Sequence, residues 1–236
     1  MKNRHKAIML DKKALDYCKL KAPPAAKSYW RGMEHGQLLQ EVVDAGHKLR
    51  LGWEFSNWEM VTSIDQSAMV AVLTVHIPGL DPPSGWAFAI TLANSNRRDV
   101  AVKMMGGLRN ADHAIMFHEW GAGKHTQKLT SVPWSDYLWA FYENARYYHE
   151  EPTRELGWYP TVRDTMEILV SAGKIRIMPW SRVGRLLDKN KGTTQKTAWQ
   201  LLLQFADMAK MNPAMKRIHQ IHKFYLLLKA AKRRMT

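Results

Sequence analysis

The stretch MVAVLTVHIPGLDPPSGWAFAITLAN, residues 69–94, decides the fold class. It holds two apolar runs, 69–77 and 86–94, separated by Pro78, Gly79 and the turn-rich DPPSG at 81–85. Short runs rich in β-branched and aromatic residues, bounded by such breakers, predict strands. Toward the C-terminus, SNRRD at 95–99 predicts a hairpin turn and VAVKMM at 100–105 a third strand. Gly106 and Gly107 then read as a second turn, and HAIMFHEW at 113–120 as a further strand. Short polar connections join antiparallel neighbours, because parallel strands need a crossover of a dozen or more residues. The texture from Trp53 to Glu119 therefore predicts an antiparallel meander of four or five strands.

Helical spacing surrounds the meander. Leu38, Leu39, Val42, Val43 and Leu49 predict an amphipathic helix over 35–50. SDYLWAFYENARYY at 135–148 predicts another, with Ser135 as its cap, and helices follow at 161–172, 194–209 and 214–232. Met211, Asn212 and Pro213 separate the last two. Residues 1–28 read as a short basic helix stopped by Pro23 and Pro24, and the glutamates at 150–151 before Pro152 as a solvated loop. The expected class is α+β: an antiparallel β-meander with flanking helices and a helical, basic C-terminal region. Its expected divisions are a basic arm (1–28), an α+β core (29–173) and a basic helical region (174–236).

The charge of +14 is unevenly placed. Residues 1–28 carry eight Lys/Arg against two acids, 29–173 carry twelve against seventeen, and 174–236 carry fifteen against Asp188 and Asp207. A near-neutral middle between basic ends predicts a polyanionic partner, with nucleic acid favoured over an anionic membrane surface. No window approaches the ~18–20 apolar residues of a membrane helix, and Asp11, Lys12 and Lys13 spoil a signal peptide. The single cysteine, Cys18, excludes an internal disulfide framework and fits a reducing cytoplasm.

HEWGAGKHT at 118–126 suggests two catalytic sites, and the spacing rejects both. A zincin helix needs histidines one turn apart, whereas His118 and His125 are seven apart with two glycines between them. A phosphate loop needs its hydroxyl directly after the lysine, but His125 follows Lys124 and Thr126 comes one place late. An irregular metal site on His113, His118, Glu119 and His125 is the remaining metal reading, disfavoured because His113 and His118 differ by an odd number of positions on one strand. No G-x-S-x-G elbow is present. No catalytic residues, cofactor or metal are expected, and the sequence leans away from an enzyme.

The basic residues offer a different chemistry. Arg97 and Arg98 fall at the expected hairpin tip, Lys103 on the next strand, Arg109 after the glycine pair, and Lys124 and Lys128 around the glycine loop. Gathered along one edge, such charges track a phosphate backbone, while Trp86, Trp120 or Trp134 are candidates for stacking on unpaired bases. In KRIHQIHKFYLLLKAAKRR, residues 216–234, Ile218, Ile221, Tyr225, Leu226 and Leu228 form the expected apolar stripe. Lys216, Arg217, Lys223, Lys229, Lys232, Arg233 and Arg234 cover its open faces. The expected nucleic-acid-binding set is Arg97, Arg98, Lys103, Arg109, Lys124, Lys128, Lys216, Arg217, Lys223, Arg233 and Arg234.

SYWRGMEHGQLLQEVVDAG at 28–46 and LANSNRRDVAVKMMGGLRNADHAIMFHEW at 92–120, with Asn94, Ser95, Gly106, Gly107, Asp112 and Glu119 in place, resemble a domain-of-unknown-function family of phage- and plasmid-encoded proteins. His125, Thr126 and TAWQLLLQFAD at 197–207 extend the similarity over about 28–210. Ala111, Asp112 and His113 depart from the family's Cys-Asp-Asn pattern. The helix-plus-meander order is more distantly similar to Rad-type single-strand annealing proteins. That resemblance implies single-stranded DNA binding and annealing in recombination or replication by a homo-oligomer. The alternative is a non-enzymatic adaptor or inhibitor that binds a host protein.

Overall fold

The computed structural model describes residues 7–8, 35–62, 68–95, 102–123, 132–190, 196–210, 212 and 214–235. The fold is α+β. Six strands, β1 (Ala7–Ile8), β2 (Glu54–Thr62), β3 (Ala68–His76), β4 (Ala87–Ser95), β5 (Val102–Arg109) and β6 (Ala114–Gly123), follow one another in space in chain order. Helix α1 (His35–Lys48) precedes β2, and α2 (Trp134–Ala145), α3 (Val162–Lys174), α4 (Trp180–Asn190), α5 (Ala198–Ala209) and α6 (Ala214–Met235) follow the sheet. The chain divides into two compact units: one of residues 1–110 and 118–146, the other of 111–117 and 147–236. Thus α3, expected with the sheet, groups with the C-terminal helices.

In the first unit, β3 and β4 are antiparallel, with Val72 opposite Thr91 and Val75 opposite Phe88. Most residues of both strands are buried, on both faces, which is why they read as continuous apolar runs instead of alternating ones. The glycine pair is not a turn. Gly106 and Gly107 lie inside β5, opposite Ile90 and Ala89. A Cβ on Gly106 would stand 2.4 Å from the Phe141 ring of α2 and 3.0 Å from Trp120. Glycine is there because an aromatic ring occupies the side-chain position, and the connection falls at 110–113 instead. β2 carries a bulge between Ser56 and Glu59, at which Asn57 is left-handed (φ 46°).

Three local expectations are corrected in this unit. Ala7–Ile8, expected as helix, pairs antiparallel with Val61 and Met60 of β2, so an open strand edge outweighs local helical preference. α2 is capped by Pro133 and not Ser135, with no side-chain cap hydrogen bond among the described residues. Starting at Trp134 lets that indole be buried and donate to Glu41 Oε2 at 3.0 Å. β6, expected to end at Trp120 before a glycine hinge, runs on to Gly123, and the Gly121 carbonyl accepts the Tyr137 hydroxyl.

The helical unit is nucleated by two reciprocal caps. Thr161 with Asp164 starts α3, and Thr197 with Gln200 starts α5, each satisfying two otherwise orphaned N–H groups. Its core joins Phe117, Tyr148 and Tyr225, with ring centroids 5.0–5.1 Å from Phe117, to a flat stack of Phe205 on Phe224 at 4.2 Å. His222 is buried and its Nδ1 lies 2.9 Å from the Met116 carbonyl.

Candidate nucleic-acid interface

Helix α6 sorts its residues by face. Ile218, Ile221, Phe224, Tyr225, Leu228 and Ala231 are buried. Lys216, Lys223, Arg233 and Arg234 are exposed, and Arg217 is half-buried. Lys216, Lys223 and Arg234 recur at i, i+7 and i+18, and 18 residues make five turns, so they form one line with steps of about 10 and 17 Å. Among the described residues none of these five cations has an ion-pair partner. Leu226, expected in the apolar stripe, is 48% exposed and belongs to the open face.

Lys229 and Lys232, expected on that face, turn toward acids. Lys229 Nζ lies 3.4 Å from Glu151 and 3.7 Å from Glu155, and Lys232 lies 3.8 Å from Glu155. Glu151 is the main surprise here. Expected in a solvated loop, it opens a π-turn, Glu151–Glu155, and is only 5% exposed. Its Oε1 accepts the Tyr225 hydroxyl at 2.9 Å, while Oε2 has no hydrogen-bond partner among the described residues. Burial raises its pKa, and the Lys229 charge and the Tyr225 bond only partly oppose this. Burial also holds the Tyr148 and Tyr225 hydroxyls well above their ordinary value, so Tyr225 remains a donor.

A carboxyl raised in the folded state binds its proton more tightly there than in the unfolded chain. Its contribution to stability is complete below the unfolded pKa and is lost as pH rises through the raised one. As pH rises above the ordinary carboxylate range of about 4, the wild-type chain is therefore expected to lose stability relative to Glu151→Gln. Denaturant midpoints of the two chains over that rise in pH check this. Parallel profiles would contradict it.

The expected sheet cations are placed differently from those of α6. Lys103 on β5 pairs with Glu119 on β6. Arg109 pairs with Glu59 and donates to the Asn57 carbonyl at 3.2 Å, fastening the β2 bulge. These two side chains are engaged within the fold, whereas Arg97, Arg98, Lys124 and Lys128 lie outside the described residues. Of the stacking candidates, Trp134 is buried, Trp86 is half-buried, and Trp120 is half-buried and stacked on His118 at 5.9 Å.

Three of the four residues of the metal reading are described, and they take other partners. His113 Nε2 lies 3.0 Å from Asp207 Oδ1, His118 stacks on Trp120, and His125 lies outside the described residues. The Lys210 ammonium, assisted by His113, holds Asp207 below the usual carboxylate range. Among the described residues no group of three or more His, Cys, Asp or Glu stands close enough to hold a metal ion.

One basic surface was missed by sequence reasoning. α3 ends in a Schellman turn, in which the Ile177 N–H reaches the Ala172 carbonyl at 2.9 Å and the Arg176 N–H reaches that of Gly173 at 3.1 Å. Arg176 takes the left-handed position (φ 57°) where glycine is preferred. α4 follows directly, with Val183 and Leu186 buried and Arg185 and Lys189 exposed. Pro179 followed by Trp180, Val183 and Leu186 was the available signal, a helix start and an i, i+3, i+6 stripe. Comparison with known families, curated proteins and solved structures finds no match for this chain.

Proposed function

We propose that this chain binds single-stranded nucleic acid through its helical unit, holding the phosphate backbone by charge and without a catalytic centre. The observation that carries this reading is the line of exposed cations on α6, which have no ion-pair partner among the described residues. The unit's composition supports it: seventeen Lys/Arg against eight Asp/Glu, with Glu151, Glu155 and Asp207 already paired to cations inside the unit. DNA in recombination or replication, and assembly into a homo-oligomer, come only from the more distant similarity of the helix-plus-meander order to Rad-type single-strand annealing proteins. The adaptor reading is favoured by one observation, the exposed apolar side chains of Val162 and Met166 on α3. Among the described residues no helix is long and apolar enough to cross a membrane.

Binding of a labelled oligothymidylate across a salt series tests the reading. Affinity for a single strand falls with log salt by about 0.7 per phosphate neutralised. Changing Lys216, Lys223 and Arg234 together to glutamine is expected to make the slope shallower by about 2 and to weaken binding roughly 10²-fold near ~0.1 M salt. Absence of binding by the wild-type chain at low salt, or equal affinity of the triple variant, would sink the proposal. A partner protein captured from nuclease-treated lysate in that case would favour the adaptor.

A further inference from the structure

Trp180 opens α4 with its indole laid on Gly173 of α3. A Cβ at Gly173 would meet three of the ring's carbons at 3.0–3.1 Å, so glycine is what allows the ring to lie down there. The same side chain is 56% exposed, and among the described residues no other aromatic ring pairs with it. One side of a large aromatic is thus seated on backbone while much of its surface faces water. An indole used only for packing is normally turned inward, as Trp53 and Trp134 are in this chain.

The surroundings are cationic. Lys174 and Arg176 follow Gly173 closely and are exposed, and Arg185 and Lys189 are exposed on α4. No Asp or Glu occurs anywhere in 173–187. Arg176 is informative because its left-handed backbone conformation favours glycine. Its side chain has no ion pair among the described residues, so no ion pair shown there accounts for arginine at that place.

We propose that Trp180 is a stacking platform for one unpaired base, with Lys174 and Arg176 holding the phosphates on either side of it. This rests on the nucleic-acid reading above and names the part of the ligand that reading leaves open. Aromatic stacking is tolerant of base identity because every base presents a π-face. The platform therefore gives preference for unpaired over paired strands without sequence specificity.

The test compares full-length wild type, Trp180→Ala, Trp180→Phe and Arg176→Gly on oligothymidylate and on an abasic oligonucleotide of equal length. Trp180→Ala is expected to weaken oligothymidylate binding roughly tenfold, with the abasic affinity and the salt slope unchanged, while Trp180→Phe keeps most of the affinity. Arg176→Gly is expected to weaken both ligands about fivefold near ~0.1 M salt, while its thermal midpoint stays level or rises. That opposition separates a ligand contact from a structural one. Equal loss by Trp180→Ala on both ligands, or none on oligothymidylate, overturns the platform while leaving the charge-based reading intact. Failure of the wild-type chain to bind either ligand overturns both.

Discussion

Phe224→Ala is expected to cost the helical unit about 3–5 kcal/mol, the range for deleting a fully buried phenyl ring. Phe224 has no exposed surface and lies flat on Phe205, with centroids 4.2 Å apart and planes 6° apart. That stack joins α5 to α6, and Leu201, Leu202, Ile221 and Leu228 are also buried on these two helices. Rigid helices cannot collapse fully onto the vacated space, so lost dispersion contacts add to the lost transfer energy. In a unit of this size the cost lowers the thermal midpoint by about 10 °C or more, visible as a shifted transition in calorimetry. Phe224→Leu conserves most of the volume and is expected to cost less than about 1.5 kcal/mol. A loss below about 1 kcal/mol for the alanine variant would show that the stack is not part of the unit's core. Oligonucleotide binding is expected to weaken in parallel above the new midpoint, because the cation line depends on an intact α6.

Which features the sequence disclosed follows from the range of the interactions that create them. β3 and β4 were legible because two buried faces write themselves as unbroken apolar runs, and Pro78 with DPPSG marks the break. α6 was legible because its buried positions recur at helical spacing. Lys103 and Arg109 could not be sorted from Lys216 and Lys223, since a cation's availability depends on carboxylates distant in sequence. Glu59 lies fifty residues before Arg109, and Glu151 is 78 residues before Lys229. Glu151 beside Pro152 carried every local mark of a solvated loop, and only the packing of α6 shows that it is buried. α4 was hidden by its own basic character: Arg182, Arg185 and Lys189 dilute the apolar stripe that Val183 and Leu186 begin. Arg176 was legible to no local rule, because arginine is not the residue expected where a helix turns left-handed.

Gly106→Ala tests the most instructive of those errors. Two adjacent glycines between apolar runs read as a turn, whereas the structure places Gly106 mid-strand opposite Ile90 with the Phe141 ring over its missing side chain. An added methyl at 2.4 Å from the Phe141 Cδ2 cannot be accommodated by a small ring motion. Phe141 is fully buried and held edge-on to Trp53, with centroids 5.8 Å apart. Either α2 lifts from the sheet or the ring leaves its rotamer, and overpacking of that kind costs about 2–3 kcal/mol. The expected result is a destabilised sheet unit, with Gly106→Val worse than Gly106→Ala. Gly121→Ala is the control, since among the described residues nothing lies within 4 Å of its Cβ position and a strand glycine gains by the change. If Gly106 served a turn, alanine there would be as harmful with Phe141 shortened as without. If it serves the ring, Phe141→Leu should recover part of the loss, and the double variant should cost about 1 kcal/mol less than the two single costs combined. Additive losses in that cycle would show that the Phe141 ring is not what requires glycine at position 106.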